Sequence, residues 1–166
     1  MVIFDANILI SYVTEEDSAN FRKLDFLIKD LADRKVIIGI PAPAWAEFLA
    51  HTNSATARII EKISGKRAIQ ILPFGEAEAI ETAEIGKRIP KRKKKGEIQD
   101  PWQQVKYDRQ ILATTITRNA EILYTDDKHM IREAQILGIN TCQTDDLSLP
   151  PESPQHELAF DVPKIS

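Results

Sequence analysis

Residues 2–10 read Val-Ile-Phe-Asp-Ala-Asn-Ile-Leu-Ile, an apolar run that is interrupted by one carboxylate, Asp5, and one carboxamide, Asn7. An apolar run of this length is typical of a buried strand. A carboxylate inside such a run is costly unless another group compensates its charge, and no basic residue lies close to Asp5 in the sequence. Asp5 therefore needs a partner, which further acidic residues along the chain suggest is a metal ion. The alternative is that Asp5 is a helix cap or turn residue and that Asn7 makes a local hydrogen bond.

Further β-type runs follow along the chain, and segments with helical spacing separate them. This alternation predicts an α/β fold with a mainly parallel central sheet. The predicted strands are Val2–Phe4, Val36–Ile40, Ala68–Leu72, Ile122–Tyr124 and Ile139–Cys142.

Helix signals fill the intervals between these strands. We expect the first helix to begin near a cap at Asp17 or Ser18. A helix through Trp45 to about His51 and one capped by Ser54, which contains Ala57, Ile60 and Ile63, predict an αα-hairpin. The remaining predicted helices are Glu76–Arg88, Pro101–Thr117 and Lys128–Leu137, the last of which is closed by Gly138.

Length and composition set broad limits. The 166 residues, of which 43% are hydrophobic, predict one globular domain. We expect residues 1–147 to form this domain and the proline-rich residues 148–166 to be an extended or mobile tail. The sequence has no run of about 18 apolar residues and no signal-peptide pattern, so we expect a cytoplasmic protein with no membrane association.

Glu47 is the only charge in residues 42–50, which read Ala-Pro-Ala-Trp-Ala-Glu-Phe-Leu-Ala. A helix that is apolar nearly all round is buried on most sides. We therefore expect Glu47 to be protonated, paired or bound to a cation. The alternative is a narrow exposed stripe that Glu47 shares with His51, four residues later, and we favour the ligand interpretation.

Asp108 lies on the inward face of its predicted helix. Val105, Ile111, Leu112 and Thr115 stand three residues before it and three, four and seven residues after it. These spacings place all five side chains on one helix face. The Asp108 carboxylate is therefore expected at the edge of the core.

The run Ile122–Tyr124 ends in Thr125, Asp126 and Asp127. Either aspartate can cap the helix that begins near Lys128. Acidic groups thus follow the first and the fourth predicted strands, at the sheet edge where α/β folds bind ligands.

Several carboxylates gathered at one place raise one another's proton affinity and destabilise the fold unless a divalent cation compensates them. Carboxylate oxygens suit Mg²⁺ or Mn²⁺ better than zinc. The single Cys142 and three widely separated histidines match no zinc-binding spacing. The residues therefore predict a metal that is held by oxygen ligands.

A cationic stretch stands out against the net charge of −3. It contains Lys87, Arg88, Lys91, Arg92, Lys93, Lys94 and Lys95. Such a stretch can hold a polyanion near an acidic pocket, although a lysine run taken alone is more often a solvated loop. Trp102 and Tyr107 can stack on unpaired bases, but we favour core positions for both.

Together these residues resemble the PIN-domain ribonuclease family, which includes the VapC-type toxins of bacterial toxin–antitoxin pairs. The resemblance covers residues 1 to about 145 and rests on four elements in order. They are the hydrophobic-Asp-x-Asn opening with Asp5 and Asn7, the helix-borne Glu47, the segment Asp108-Arg109-Gln110-Ile111-Leu112-Ala113-Thr114, and Thr125-Asp126-Asp127.

The resemblance implies a PIN-like three-layer α/β/α domain that hydrolyses RNA and leaves a 5′-phosphate and a 3′-hydroxyl. It implies that Asp5, Glu47, Asp108 and Asp127 are catalytic and hold Mg²⁺ or Mn²⁺, with Asp127 preferred over Asp126 because the motif reads Thr-x-Asp. Asn7 and Thr125 would be supporting polar groups, and Lys91, Arg92, Lys93, Lys94 and Lys95 would contact RNA. A toxin of a type II pair would have a cognate antitoxin and is often a homodimer.

Two alternatives compete with this interpretation. A haloacid dehalogenase-type phosphatase also begins with an Asp after its first strand, but its chemistry requires a second Asp two residues later, where this chain has Asn7. A catalytically silent PIN module that binds RNA or protein is the other. The presence of all four acids favours the nuclease.

Overall fold

The computed structural model describes residues 1–14, 18–51, 68–89 and 102–151, and for residues 102–104 it describes the backbone only. Its strands are β1 (Val2–Phe4), β2 (Ile38–Pro41), β3 (Ile69–Leu72), β4 (Leu123–Tyr124) and β5 (Thr141–Cys142). Its α-helices are α1 (Ala6–Thr14), α2 (Ala19–Asp33), α3 (Ala42–His51), α4 (Glu76–Arg88), α5 (Trp102–Thr117) and α6 (Lys128–Leu137). A short 3₁₀ helix covers Thr144–Asp146.

The strands form one parallel sheet in the order β3-β2-β1-β4-β5. The helices flank this sheet, so the predicted three-layer α/β/α fold is confirmed. The chain builds outward from β1 through β2 to β3 and then continues on the other side of β1 with β4 and β5. The carboxyl ends of β1 and β4 therefore lie at a topological switch point, where such sheets bind ligands.

The opening run is not one strand. β1 ends at Phe4, and Ala6–Thr14 forms α1, which the sequence analysis missed. Asp5 stands at the junction, where its carbonyl oxygen accepts the helical hydrogen bond from Leu9 N at 3.4 Å. β1 is buried, and Ala6, Ile8 and Leu9 of α1 are buried as well. An apolar run that is buried as a helix can have the same composition as one that is buried as a strand.

Several predicted boundaries agree with the structure. α4 and α6 span the predicted residues, and Gly138 ends α6 at a φ of 73°, in the left-handed region that favours glycine. Ser18 caps α2 by accepting a hydrogen bond from Phe21 N at 2.9 Å. The helix predicted from Ser54, the αα-hairpin and most of the tail lie outside the described residues.

The core lies around the central strand and the faces of the helices that pack on it. Ile3 and Leu123 are fully buried in neighbouring strands, and the rings of Phe4 and Tyr124 pack edge to face at 5.2 Å. This packing holds β1 against β4 and so positions Asp5 and Thr125, the residues that directly follow these two strands. In the described part of the chain, no helix has the length and apolar character needed to cross a membrane.

Candidate metal centre

Asp5 and Thr125 meet where β1 and β4 end. Both residues are buried, at 3% and 0% exposure. Asp5 Oδ2 accepts a hydrogen bond from Thr125 Oγ1 at 2.7 Å, and Asp5 Oδ1 accepts one from Ala6 N at 2.7 Å. The buried carboxylate that the sequence left without a partner is thus held by neutral donors, none of which neutralises its charge.

Asn7 ties these two residues together. Its Nδ2 donates to Asp5 Oδ2 at 2.7 Å and to Thr125 Oγ1 at 3.2 Å, and its Oδ1 accepts from Asp126 N at 3.2 Å. Thr125 Oγ1 also accepts from Asp127 N at 3.1 Å. Asn7 and Thr125 therefore orient Asp5 and the backbone that leads to α6.

The two adjacent aspartates point to different partners. Asp126 Oδ1 and Oδ2 accept hydrogen bonds from the backbone N and Oγ1 of Thr144, both at 2.7 Å. Asp127 Oδ1 caps α6 by accepting from His129 N at 2.6 Å and Met130 N at 3.1 Å. Both oxygens of Asp126 thus hold Thr144, just after β5, and a role of Asp126 as a metal ligand stays a prediction.

Asp108 lies half-buried on α5, as its helical spacing predicted. Ile111, Leu112 and Thr115 on the same face are buried. Among the described residues, no side chain or backbone group donates a hydrogen bond to the Asp108 carboxylate. Its environment is therefore apolar and acidic.

The prediction that Glu47 is buried is wrong. Its side chain is exposed on α3, together with Ala46, Leu49 and Ala50. Phe48 fills the buried face of α3 in its place. An exposed Glu47 pays no desolvation cost, so the burial argument for a ligand fails, but its charge still acts on the other acids.

The pKa values of Asp5 and Asp108 report how the acids are arranged. Burial raises the pKa of Asp5 to about 6, against the hydrogen bonds from Thr125 and Ala6, and the charges of Glu47 and Asp127 raise it further. Burial, followed by the charges of Asp127, Asp5, Glu133 and Glu47, raises the pKa of Asp108 to about 8. The four predicted acids thus act on one another electrostatically, and the pKa of Asp108 is raised further than that of Asp5.

They do not form an assembled ligand set. Within the described ranges of the chain, no three acidic, histidine or cysteine side chains lie close enough together to hold one metal ion. The side chain of Glu47 is exposed, and one oxygen of Asp127 is used by the helix cap. The donor chemistry nevertheless fits a hard divalent cation, whose charge would relieve the repulsion that raises the pKa of Asp108.

Comparison with known proteins decides the family. A family model described as the PIN domain matches residues 2–136. The chain belongs to the PIN-domain family. Proteins with a PIN domain are generally nucleases, and they generally depend on a divalent metal. A search of curated proteins found no match to this PIN domain.

Solved structures agree with this fold. One similar structure is the crystal structure of VapBC2 from Rickettsia felis bound to a DNA fragment from their promoter. The two sequences are 15% identical, and the TM-score is 0.61. The match covers 86% of this PIN-domain chain and 98% of that chain. The structure of DNA-bound VapBC from Salmonella typhimurium is 20% identical, with a TM-score of 0.56 over 86% and 97% of the two chains. At these identities the similarity is one of fold.

Family membership decides against the haloacid dehalogenase-type phosphatase. The side chain of Asn7 agrees with this outcome. Its amide joins Asp5, Thr125 and the backbone of Asp126. A carboxamide in this network cannot act as the acid that the phosphatase requires.

The cationic stretch is described only at its beginning. Lys87 Nζ lies 2.6 Å from Glu84 Oε1, and Arg88 Nη1 lies 3.9 Å from Glu81 Oε1. Both residues thus pair with acids of α4, while Lys91, Arg92, Lys93, Lys94 and Lys95 lie outside the described residues. The expectation that Tyr107 belongs to the core is wrong, because 53% of it is exposed.

Sequence reasoning missed one buried ion pair beside the centre. Arg109, next to Asp108, is 7% exposed and pairs with Glu133 of α6. Arg109 entered the predictions only as part of the segment that begins at Asp108. Its partner lies 24 residues further along the chain, and no local spacing rule could have identified it.

Proposed function

We propose that this PIN domain is a metal-dependent endoribonuclease that hydrolyses RNA phosphodiester bonds, with Asp5, Glu47, Asp108 and Asp127 as its catalytic acids. The observation that carries the proposal is the half-buried Asp108, whose pKa is raised to about 8 by burial and by four other acids. A fold without a use for this cluster would gain stability by losing it.

Mg²⁺ or Mn²⁺ is the cofactor that best fits these oxygen donors, and Asp5, Glu47, Asp108 and Asp127 would hold it. When bound, the cation supplies positive charge that stabilises the phosphate in the transition state and favours deprotonation of the attacking water. Asn7 and Thr125 fix the orientation of Asp5 Oδ2, while Ala6 N fixes Oδ1. Preorganised carboxylates of this kind need little rearrangement during the reaction.

The first test combines metal binding with RNA cleavage. We expect Mn²⁺ to bind by calorimetry, and we expect cleavage of single-stranded or structured RNA that stops on addition of a chelator and returns with excess Mn²⁺. A DNA oligonucleotide of the same sequence is the matched control substrate. Binding of Mn²⁺ without RNA cleavage would favour the catalytically silent PIN module, and failure to bind Mn²⁺ would overturn the metal centre itself.

The cationic stretch gives a second prediction. Replacing Lys93, Lys94 and Lys95 with Gln should weaken RNA binding and flatten its salt dependence, because each lost phosphate contact reduces the slope by about 0.7 for a single strand. The measurement is the dissociation constant over a salt series, with the exposed Lys29→Gln on α2 as control. An unchanged slope would favour the alternative interpretation, in which the stretch is a solvated loop that does not contact RNA. Mn²⁺ affinity should not change.

We further propose that the protein is the toxin of a type II toxin–antitoxin pair. Two structural neighbours are VapBC structures, which supports a cognate antitoxin as a partner. A second copy of this chain is the other proposed partner. The neighbouring reading frame tests this proposal. A small DNA-binding protein that is encoded there and co-purifies with this chain would support the toxin, while its absence would favour a stand-alone nuclease.

A further inference from the structure

Arg109 lies next to Asp108 and makes three hydrogen bonds that the proposed function does not use. Its Nε donates to Glu133 Oε2 at 3.3 Å and its Nη2 donates to Glu133 Oε1 at 3.1 Å. Nη2 also donates to the backbone oxygen of Ile89 at 2.8 Å. A two-point pair fixes both distance and orientation, which a single ion pair does not.

These contacts join the helices that carry the site. Arg109 follows Asp108 on α5, Glu133 lies on α6, and Ile89 is the C-cap residue that follows α4. Helix α6 begins at its cap Asp127, about 9 Å along the axis from Glu133 at 1.5 Å per residue. Because α5 packs against α4 far more extensively than against α6, the Arg109–Glu133 pair adds a specific link between the helix of Asp108 and the helix that Asp127 caps.

The pair is also close to the centre electrostatically. The charge of Glu133 acts on Asp108 more strongly than that of Glu47 does. Glu133 therefore belongs to the acidic surroundings of Asp108. The guanidinium of Arg109 occupies both of its oxygens.

We infer that Arg109 is a positioning residue of the metal centre, which sets the spacing of Asp108 and Asp127 through its two-point pair with Glu133. This inference rests on the proposed function, because it concerns the same ligands. Partners that orient metal ligands typically change metal affinity by about 10–100-fold when they are lost. Lysine keeps the charge of Arg109 but cannot form the planar two-point contact.

Arg109→Lys is therefore expected to weaken Mn²⁺ binding about tenfold, measured by calorimetry on the full chain well below its melting temperature. Arg118→Lys is the matched control. Arg118 Nη2 lies 3.3 Å from Glu78 Oε1, so this pair also links the α5 region to α4, but at the end of α5 away from Asp108. Both variants should lower the melting temperature, whereas only Arg109→Lys should weaken Mn²⁺ binding.

If Arg109→Lys does not fold, Arg109→Gln combined with Glu133→Gln carries the same test, because the double variant leaves no buried charge unpaired and no change in net charge. The same tenfold loss is expected. Mn²⁺ affinity within twofold of the wild type, in a folded variant, would show that the pair only stabilises the fold. Absence of Mn²⁺ binding by the wild type would instead refute the proposed function.

Discussion

Asp108→Asn is expected to reduce RNA cleavage by about two to three orders of magnitude and, at the same time, to stabilise the metal-free protein at pH 8. The loss of activity follows from removing one ligand charge from the proposed centre. The gain in stability follows from removing a half-buried charge that burial, Asp127 and Asp5 all disfavour. One substitution should thus move activity and stability in opposite directions.

The pH dependence fixes the sign of the stability effect. The pKa of Asp108 rises from an ordinary 3.8 to about 8 in the folded protein. Between these values the folded state retains a proton that the unfolded chain releases, so stability falls as the pH rises. The penalty is absent below about pH 4 and complete above about pH 8. Asparagine carries no such penalty, so the advantage of the variant should grow across this range.

Urea denaturation of the metal-free protein at pH 5 and pH 8 measures this effect. We expect the variant to gain about 1–3 kcal/mol at pH 8, since partial exposure of Asp108 screens some of the repulsion. Asp30→Asn is the control, because Asp30 forms an exposed ion pair with Arg34. Full cleavage activity in Asp108→Asn would refute the proposed centre, and a loss of stability at pH 8 would refute its electrostatics.

Asp5→Asn is a less selective test than Asp108→Asn. Asp5 Oδ2 accepts from both Asn7 and Thr125, and Oδ1 accepts from Ala6 N. The amide nitrogen of the introduced Asn carries hydrogens of its own, and these would face either the Ala6 donor or the Asn7 and Thr125 donors. Loss of activity in Asp5→Asn can therefore reflect both the loss of a ligand and a distorted arrangement at the ends of β1 and β4. The sequence alone did not indicate the second effect.

Local patterns predicted the parts of the centre that depend on one element. Asp5 follows β1, and Asp108 lies on the inward face of α5, as expected from alternation and helical spacing. Glu47 was misjudged because α3 is apolar on its exposed face as well, where Ala46, Leu49 and Ala50 lie. Composition shows that a helix is apolar, but the neighbouring elements decide which face is covered.

Contacts between distant segments could not be predicted. Asp126 accepts hydrogen bonds from Thr144, which lies 18 residues later. Helix α1 was missed for a related reason. A short apolar run adopts whichever structure its junction allows, and Asp5 ends the strand by accepting the first hydrogen bonds of the helix.

Thr125→Val is expected to destabilise the protein by about 2–4 kcal/mol, because it removes a fully buried hydroxyl that three groups share. Thr125 Oγ1 donates to Asp5 Oδ2 and accepts from Asn7 Nδ2 and Asp127 N. Valine has nearly the same shape and fills the space, so the loss reflects unpaired polar groups rather than a cavity. In a chain of this length the melting temperature should fall by about 4–16 °C.

Thr125→Ser is the matched control, since it keeps the hydroxyl and loses only a methyl group, at a cost of about 1 kcal/mol. The comparison also reaches the chemistry. The hydrogen bond from Thr125 lowers the pKa of Asp5. The Asp5 carboxylate should therefore bind a proton more tightly in the Thr125→Val variant than in the Thr125→Ser variant. Mn²⁺ affinity should then fall more steeply below pH 7 in the valine variant. Equal stability and equal pH profiles for the two variants would mean that the hydroxyl fills space without orienting Asp5.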